Sequence, residues 1–233
     1  MRALWTAATG MRSQQFNIDT IANNLSNVNT TAYKTGRAEF KDLFYSNLKR
    51  ARIDDDEGRP VNLEVGHGSM PVATKRDFRT GNLMPTDNVF DLAIEGEGFF
   101  IIELPDGELR YTRDGSFKLS VDGDEGYLVT SEGYYVLSED EDFIVIESGI
   151  KDITIDNLGY ITGEDEDGEI VDLGRIGLVK FVNPEGLQSK GQNLYESDPA
   201  VTGEAMLIEA EEMKGRVIQG YLEASNVQVV DEM

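Results

Sequence analysis

The chain has 233 residues, 39% of them hydrophobic and 24 of them glycine, enough to bury a core in one medium domain with a smaller element beside it. It has no cysteine, which excludes disulfides, thiolate catalysis and cysteine-based metal centres. Its net charge of −23 is split: the first 52 residues hold eight basic against three acidic residues, the remainder 13 against 41, and a body this acidic repels nucleic-acid phosphates and anionic lipid.

Leu4, Met11, Ile18 and Leu25 recur every seven positions, and Ala7, Gln14, Ile21 and Val28 form a second row offset by three. This spacing predicts a helix over residues 3–28 with a seam that needs a second helix to cover it. The chain offers no comparably long partner, so the seam points to packing against other subunits. Gln14 interrupts it, as a polar residue that sets register does. Asn23, Asn24, Asn27 and Asn29, in the polar stretch that leads to Lys34, should fray or end the helix, since Asn side chains cap and form turns. Between packed subunits such polar groups, with Lys34, are expected to fix register. Opposite charge on the two parts of the chain also predicts attraction between neighbouring copies. Arg2 is followed by no apolar stretch of the roughly 7–15 residues that a cleaved secretory signal carries.

Residues 35–53 contain the apolar cluster Phe40, Leu43, Phe44 and Tyr45 and a basic end, and residues 54–60 read as a charged linker. From Val61 onwards the period changes to short strands between tight turns. Phe90 to Ile94 alternates with period two, and Gly98 to Leu104 reads as a buried strand before a Pro105-Asp106-Gly107 turn. Further Asp-Gly turns stand at Asp114, Asp122 and Asp167. Strands are expected at residues 127–130, 134–137, 143–146, 153–155 and 177–182. The fold class expected is mainly β: a central all-β domain of short antiparallel strands behind an N-terminal heptad helix. Its divisions fall at residues 1–34, 35–80, 81–203 and 204–233, the last a return segment in which residues 217–223 resemble a strand.

Several motifs in order carry a family resemblance. They are Leu4-Trp5-Thr6-Ala7-Ala8-Thr9-Gly10-Met11, the stretch from Asn23 to Lys34, and the block from Ala93 to Phe100. Tyr111 to Phe117 and Gly220 to Val227 extend the match to both ends and much of the middle. Together they resemble bacterial flagellar rod and hook proteins. The opening motif and the segment Val65 to Thr74 are most similar to distal-rod members, with a proximal-rod paralogue the nearest alternative.

The resemblance implies a structural subunit of the flagellar basal body, exported by the flagellar type III apparatus without a cleaved signal. It implies helical polymerisation into a hollow shaft that carries torque from motor to hook. Partners on this reading are other copies, proximal-rod and hook proteins and the envelope ring proteins, with no cofactor. Phe40 and Phe44 resemble the export-gate motif of such substrates, although aromatic pairs four apart are common on any helix face. Family members continue into a long C-terminal helix that pairs with the N-terminal one. This chain stops at Met233, and a truncated chain is the expectation, with its seam left open.

Other chemistries find little footing. His67 is the one histidine and stands between two glycines with no nucleophile at motif spacing, so no catalytic residue is assigned. An EF-hand around Asp165-Glu166-Asp167-Gly168 would put Gly163 and Gly174 at loop positions one and twelve, where carboxylates are needed, so no metal site is assigned. The rival from another class is a secreted, acidic, β-rich binding module.

Overall fold

The computed structural model describes residues 2–49, 62–123, 125–165, 167–208 and 215–232. The charged linker at 54–60 lies outside the described residues. The chain divides into two units, residues 1–26 with 36–77 and Glu232, and residues 27–35 with 78–231 and Met233.

In the first unit the heptad region is one continuous helix, Arg2–Ser26. It ends where Asn27 takes over the hydrogen bonding: the Asn27 carbonyl accepts from the Thr30 amide and its side chain from the Thr30 hydroxyl. Strand Gly36–Asp42 then pairs antiparallel with Ser69–Arg76, and Tyr45–Lys49 pairs with Leu63–Gly66. Amide–carbonyl bonds from Leu43 to Gly68 and from His67 to Phe44 join the pairs into a continuous ribbon. Phe40, read from sequence as part of an apolar cluster and with Phe44 as a resemblance to the export motif, is on a strand, and Phe44 is in the link that follows it. Gly68 lies against the helix with φ +114°, and a Cβ there would stand 2.1 Å from the Thr9 hydroxyl, so only glycine permits this approach.

The second unit is built on strand Phe99–Glu103. Leu109–Thr112, Tyr135–Val136 and Leu178–Lys180 pair with it within a ten-stranded antiparallel sheet. A separate three-stranded sheet holds Lys151–Ile155, Tyr160–Glu164 and Ile170–Arg175. Most of the strands expected from alternation and turns are present. Residues 217–223, which read as one strand, form two: Arg216–Gln219 pairs with Leu92–Glu95, and Tyr221–Glu223 pairs with Leu83–Pro85. The break is Gly220, at φ +72°, a conformation that glycine adopts without strain.

Successive side chains of a strand point to opposite faces, yet Phe99, Phe100, Ile101 and Ile102 are all buried. Both faces of this strand are therefore covered. One face packs with Leu92, Ile94, Phe117, Leu128 and Ile176, the other with Tyr111, Val179, Phe181 and Tyr195. Phe100 meets Phe117 edge to face at 5.0 Å between ring centroids, a geometry that aligns ring edge with π-face. Phe100→Ala is expected to lower the stability of this unit by about 3–5 kcal/mol in urea unfolding. Val121→Ala, at an exposed position, should change it by about 0.5 kcal/mol or less.

Candidate assembly site

The helix turns its polar side to its own ribbon. Ser13 and Asn24 are buried, and Thr6, Thr9, Gly10, Asn17, Thr20 and Ile21 are half-buried. The Ser13 hydroxyl donates to the Ser69 carbonyl, and the Ser69 hydroxyl lies 3.1 Å from that of Ser13. Asn24 forms a two-way clip: its amide donates to the Gly36 carbonyl at 2.9 Å, and its side-chain oxygen accepts from the Gly36 amide at 3.0 Å. Small polar side chains let the helix backbone approach the ribbon closely, which explains their place on this face.

The first heptad row is left on the opposite side. Leu4, Met11, Ile18 and Leu25 are 76%, 69%, 61% and 42% exposed, and Trp5 is 66% exposed. Of the other predicted assembly residues, Ile21, Asn27 and Val28 are half-buried, and Asn23 and Asn29 are exposed. Phe40 and Phe44 are exposed on the ribbon, Phe44 at 90%. No helix among the described residues is long and apolar enough to cross a membrane.

Lys34 lies elsewhere, wholly buried in the second unit. Its ammonium donates to Glu223 Oε1 at 2.6 Å and to the Arg79 carbonyl at 3.0 Å. The same carboxylate oxygen accepts the Gly81 amide at 2.6 Å, and Arg113 Nη1 stands 3.9 Å from Oε2. Arg113 is buried too, donating to the Ile94 and Gly96 carbonyls and stacked at 5.5 Å over the Phe99 ring. Burial pushes the Arg113 guanidinium down from its usual pKa, while the Glu223 charge acts in the opposite direction.

Around this cluster the signature segment is laced to the end of the chain. The Ala32 amide donates to the Glu223 carbonyl, and the Asn226 amide to the Tyr33 carbonyl. The Asn226 side-chain oxygen accepts both the amide and the hydroxyl of Thr35, at 2.8 and 2.7 Å. On the other side Thr31 donates to Asp114, and Asn193 donates to the Thr31 carbonyl.

Four of the five sequence motifs therefore meet at one point: Lys34 from the Asn23–Lys34 stretch, Ile94 and Gly96 from the Ala93–Phe100 block, Arg113 from Tyr111–Phe117, and Glu223 and Asn226 from Gly220–Val227. Arg113, Glu223 and Asn226 were not singled out as site residues from the sequence. The available signal was that each falls inside a motif that carries the resemblance.

Residues 4–34 match the family model "Flagella basal body rod protein", and residues 93–163 match "Flagellar hook protein FlgE/F/G D1 domain". The flagellar basal-body rod protein FlgG of Borreliella burgdorferi is 46% identical to the chain, covering 100% of the chain and 87% of the relative. The chain belongs to the flagellar basal-body rod protein family. FlgG of Agrobacterium fabrum is 38% identical over 100% of the chain and 88% of its own length. A Helicobacter pylori flagellar hook protein, FlgE2, is a looser structural match: TM-score 0.30 and 18% identity, over 70% of this chain and 47% of that one. The family is structural rather than enzymatic, and it places the chain in the flagellar basal body. Among the described residues no group of three or more His, Asp or Glu is arranged to hold a metal ion.

Lys34→Met would leave Glu223 buried without its ammonium, and is expected to cost about 3–5 kcal/mol of stability in urea unfolding. Thr31→Val, which removes one side-chain hydrogen bond, should cost about 1 kcal/mol. Equal losses in the two variants would show that the buried pair does not support this unit.

Proposed function

We propose that this rod-family protein is a distal-rod subunit that polymerises helically into a hollow shaft carrying torque from motor to hook. The observation that carries the reading is the inverted helix. Its polar face is satisfied by its own ribbon, while Leu4, Met11, Ile18 and Leu25 stand in water. Each large apolar side chain transferred from water to an interface contributes roughly 1.5–3 kcal/mol, so the row is a source of association energy rather than of monomer stability.

In the assembled shaft, Leu4, Met11, Ile18 and Leu25 pack against neighbouring subunits, with half-buried Ile21 and Val28 at the edge of that row and exposed Asn23 and Asn29 at the margin of the joint. Asn24, Asn27 and Lys34 act from within each subunit by holding the helix end and the signature in place. The partners are other copies, the proximal-rod and hook proteins, and the envelope rings around the shaft. The subunit reaches its place through the flagellar type III apparatus without a cleaved signal. Phe40 and Phe44, exposed on the ribbon, remain the candidate contact for that apparatus. The FlgG relatives, matched along the whole chain, favour the distal rod over the proximal-rod alternative.

Ile18→Asp/Leu25→Asp changes two exposed positions and should leave the β unit melting as in the wild type. Expressed in a strain lacking its own distal-rod gene, beside a wild-type control that swims, the variant is expected to give non-motile cells whose basal bodies lack the distal rod in electron micrographs. Normal swimming by the variant would sink the proposed joint.

A further inference from the structure

One face of the second unit carries charges that its own ladder leaves uncompensated. Glu125 stands opposite Asp122 on one neighbouring strand and opposite Glu147 on the other, so three carboxylates form a row across adjacent strands. Strand spacing is about 4.8 Å, and like charges directly opposite one another are unfavourable. All three are exposed, and none of them is ion-paired with a cation among the described residues.

Beside the row, the rings of Tyr127, Tyr135 and Phe143 cluster, with centroids 5.7, 6.3 and 4.9 Å apart. Tyr135 and Phe143 are 39% and 45% exposed. The Tyr127 hydroxyl donates to Glu125 at 2.5 Å, which ties the rings to the carboxylate row. Over residues 118–147 there are nine acidic residues and one basic residue, so the surroundings only deepen the negative potential. Carboxylates next to exposed π-faces suit arginine and lysine: guanidinium pairs with carboxylate and stacks on rings.

The ribbon of the first unit has the opposite character. In Gly36–Asp42, Arg37 and Glu39 are exposed while Gly36 and Ala38 are half-buried; the pairing shifts register between Glu39 and Phe40, and Lys41 is exposed beyond the shift. Arg37 is opposite Lys75 in the ladder and Lys41 is opposite Met70, which is exposed, so the outward face is cationic with an apolar patch. Arg37 and Lys41 are exposed and make no ion pair among the described residues.

We propose that the Asp122–Glu125–Glu147 row and its neighbouring rings receive the Arg37–Lys41 ribbon face of a second copy of this chain. The two patches are different surfaces present in equal number on every copy. A contact between them that is not reciprocated within one pair is heterologous, and such a contact propagates as a ring or a helix. The proposal rests on the reading of the chain as a helically polymerising subunit and adds to it a second, polar joint separate from the apolar seam.

The test is self-association of the full chain, followed by sedimentation velocity at low salt and again with added salt. Wild type is expected to associate, and to do so more weakly as salt screens the contact. Arg37→Glu/Lys41→Glu alone, and Glu125→Lys/Glu147→Lys alone, should each weaken association at least tenfold, with unchanged circular-dichroism melts. An equimolar mixture of the two should recover it, because reversed ribbon then meets reversed row. Tyr135→Ser/Phe143→Ser, which leaves the charge unaltered, should also weaken it. Wild-type association in the charge-reversed variants, or no recovery in the mixture, overturns this joint while leaving helical polymerisation standing. No association of the wild type under any condition overturns both.

Discussion

An ammonium group removed completely from water must find a counter-charge, and Lys34 finds Glu223. The organisation of the second unit around that pair follows. Both lone-pair directions of Oε1 are taken, by Lys34 and by the Gly81 amide, which fixes the carboxylate and with it strand Tyr221–Glu223. On either side of the ammonium, Thr31 and Thr35 hold the segment to Asp114 and Asn226. Breaking a buried pair by removing one partner is far more damaging than removing an exposed one, since the remaining charge cannot be hydrated. The signature segment is thus a component of the β unit, although it directly continues the helix of the other unit.

The helix shows the complementary economy. An amphipathic helix usually buries its apolar stripe in its own subunit. Here the stripe that contacts the ribbon is made of Ser, Thr, Gly and Asn with Ile21, and specificity comes from the Asn24 clip and the close approach at Gly68. The subunit has spent polar groups on internal geometry and kept its large aliphatic groups outside. That division suits a protein of the basal-body rod family, whose members assemble with other flagellar components.

Much of the architecture was legible from residues alone. Heptad spacing located the helix to within a turn, and Asp-Gly turns with intervening apolar runs located most strands. The family motifs pointed to the rod without reference to any contact. What the sequence left hidden has physical reasons. Heptad rows show that a face is apolar, but not whether that face or its opposite meets the subunit's own strands. The Ser13 and Asn24 contacts are made to backbone groups, which have no signature in composition. Phe40 lies on a strand of a ribbon with mixed charges, where alternation is weak, and Phe44 lies in the link to the next strand. Residues 217–223 looked like one strand because periodicity does not register a change of partner at a glycine.

Lys34 and Glu223 are 189 positions apart, and this distance sets the order of events during folding. Closing a flexible loop of that length costs about 4–5 kcal/mol of chain entropy, and none of it is recovered until the last strand has docked. Contacts of such long range slow folding, so the sheet can form its local hairpins well before the signature is clasped. A chain presented from its N-terminus would carry residues 27–35 fastened only through Thr31, to Asp114 and Asn193, until Glu223 and Asn226 arrived. The clasp therefore works as a latch that shuts only after residues 223–226 have docked.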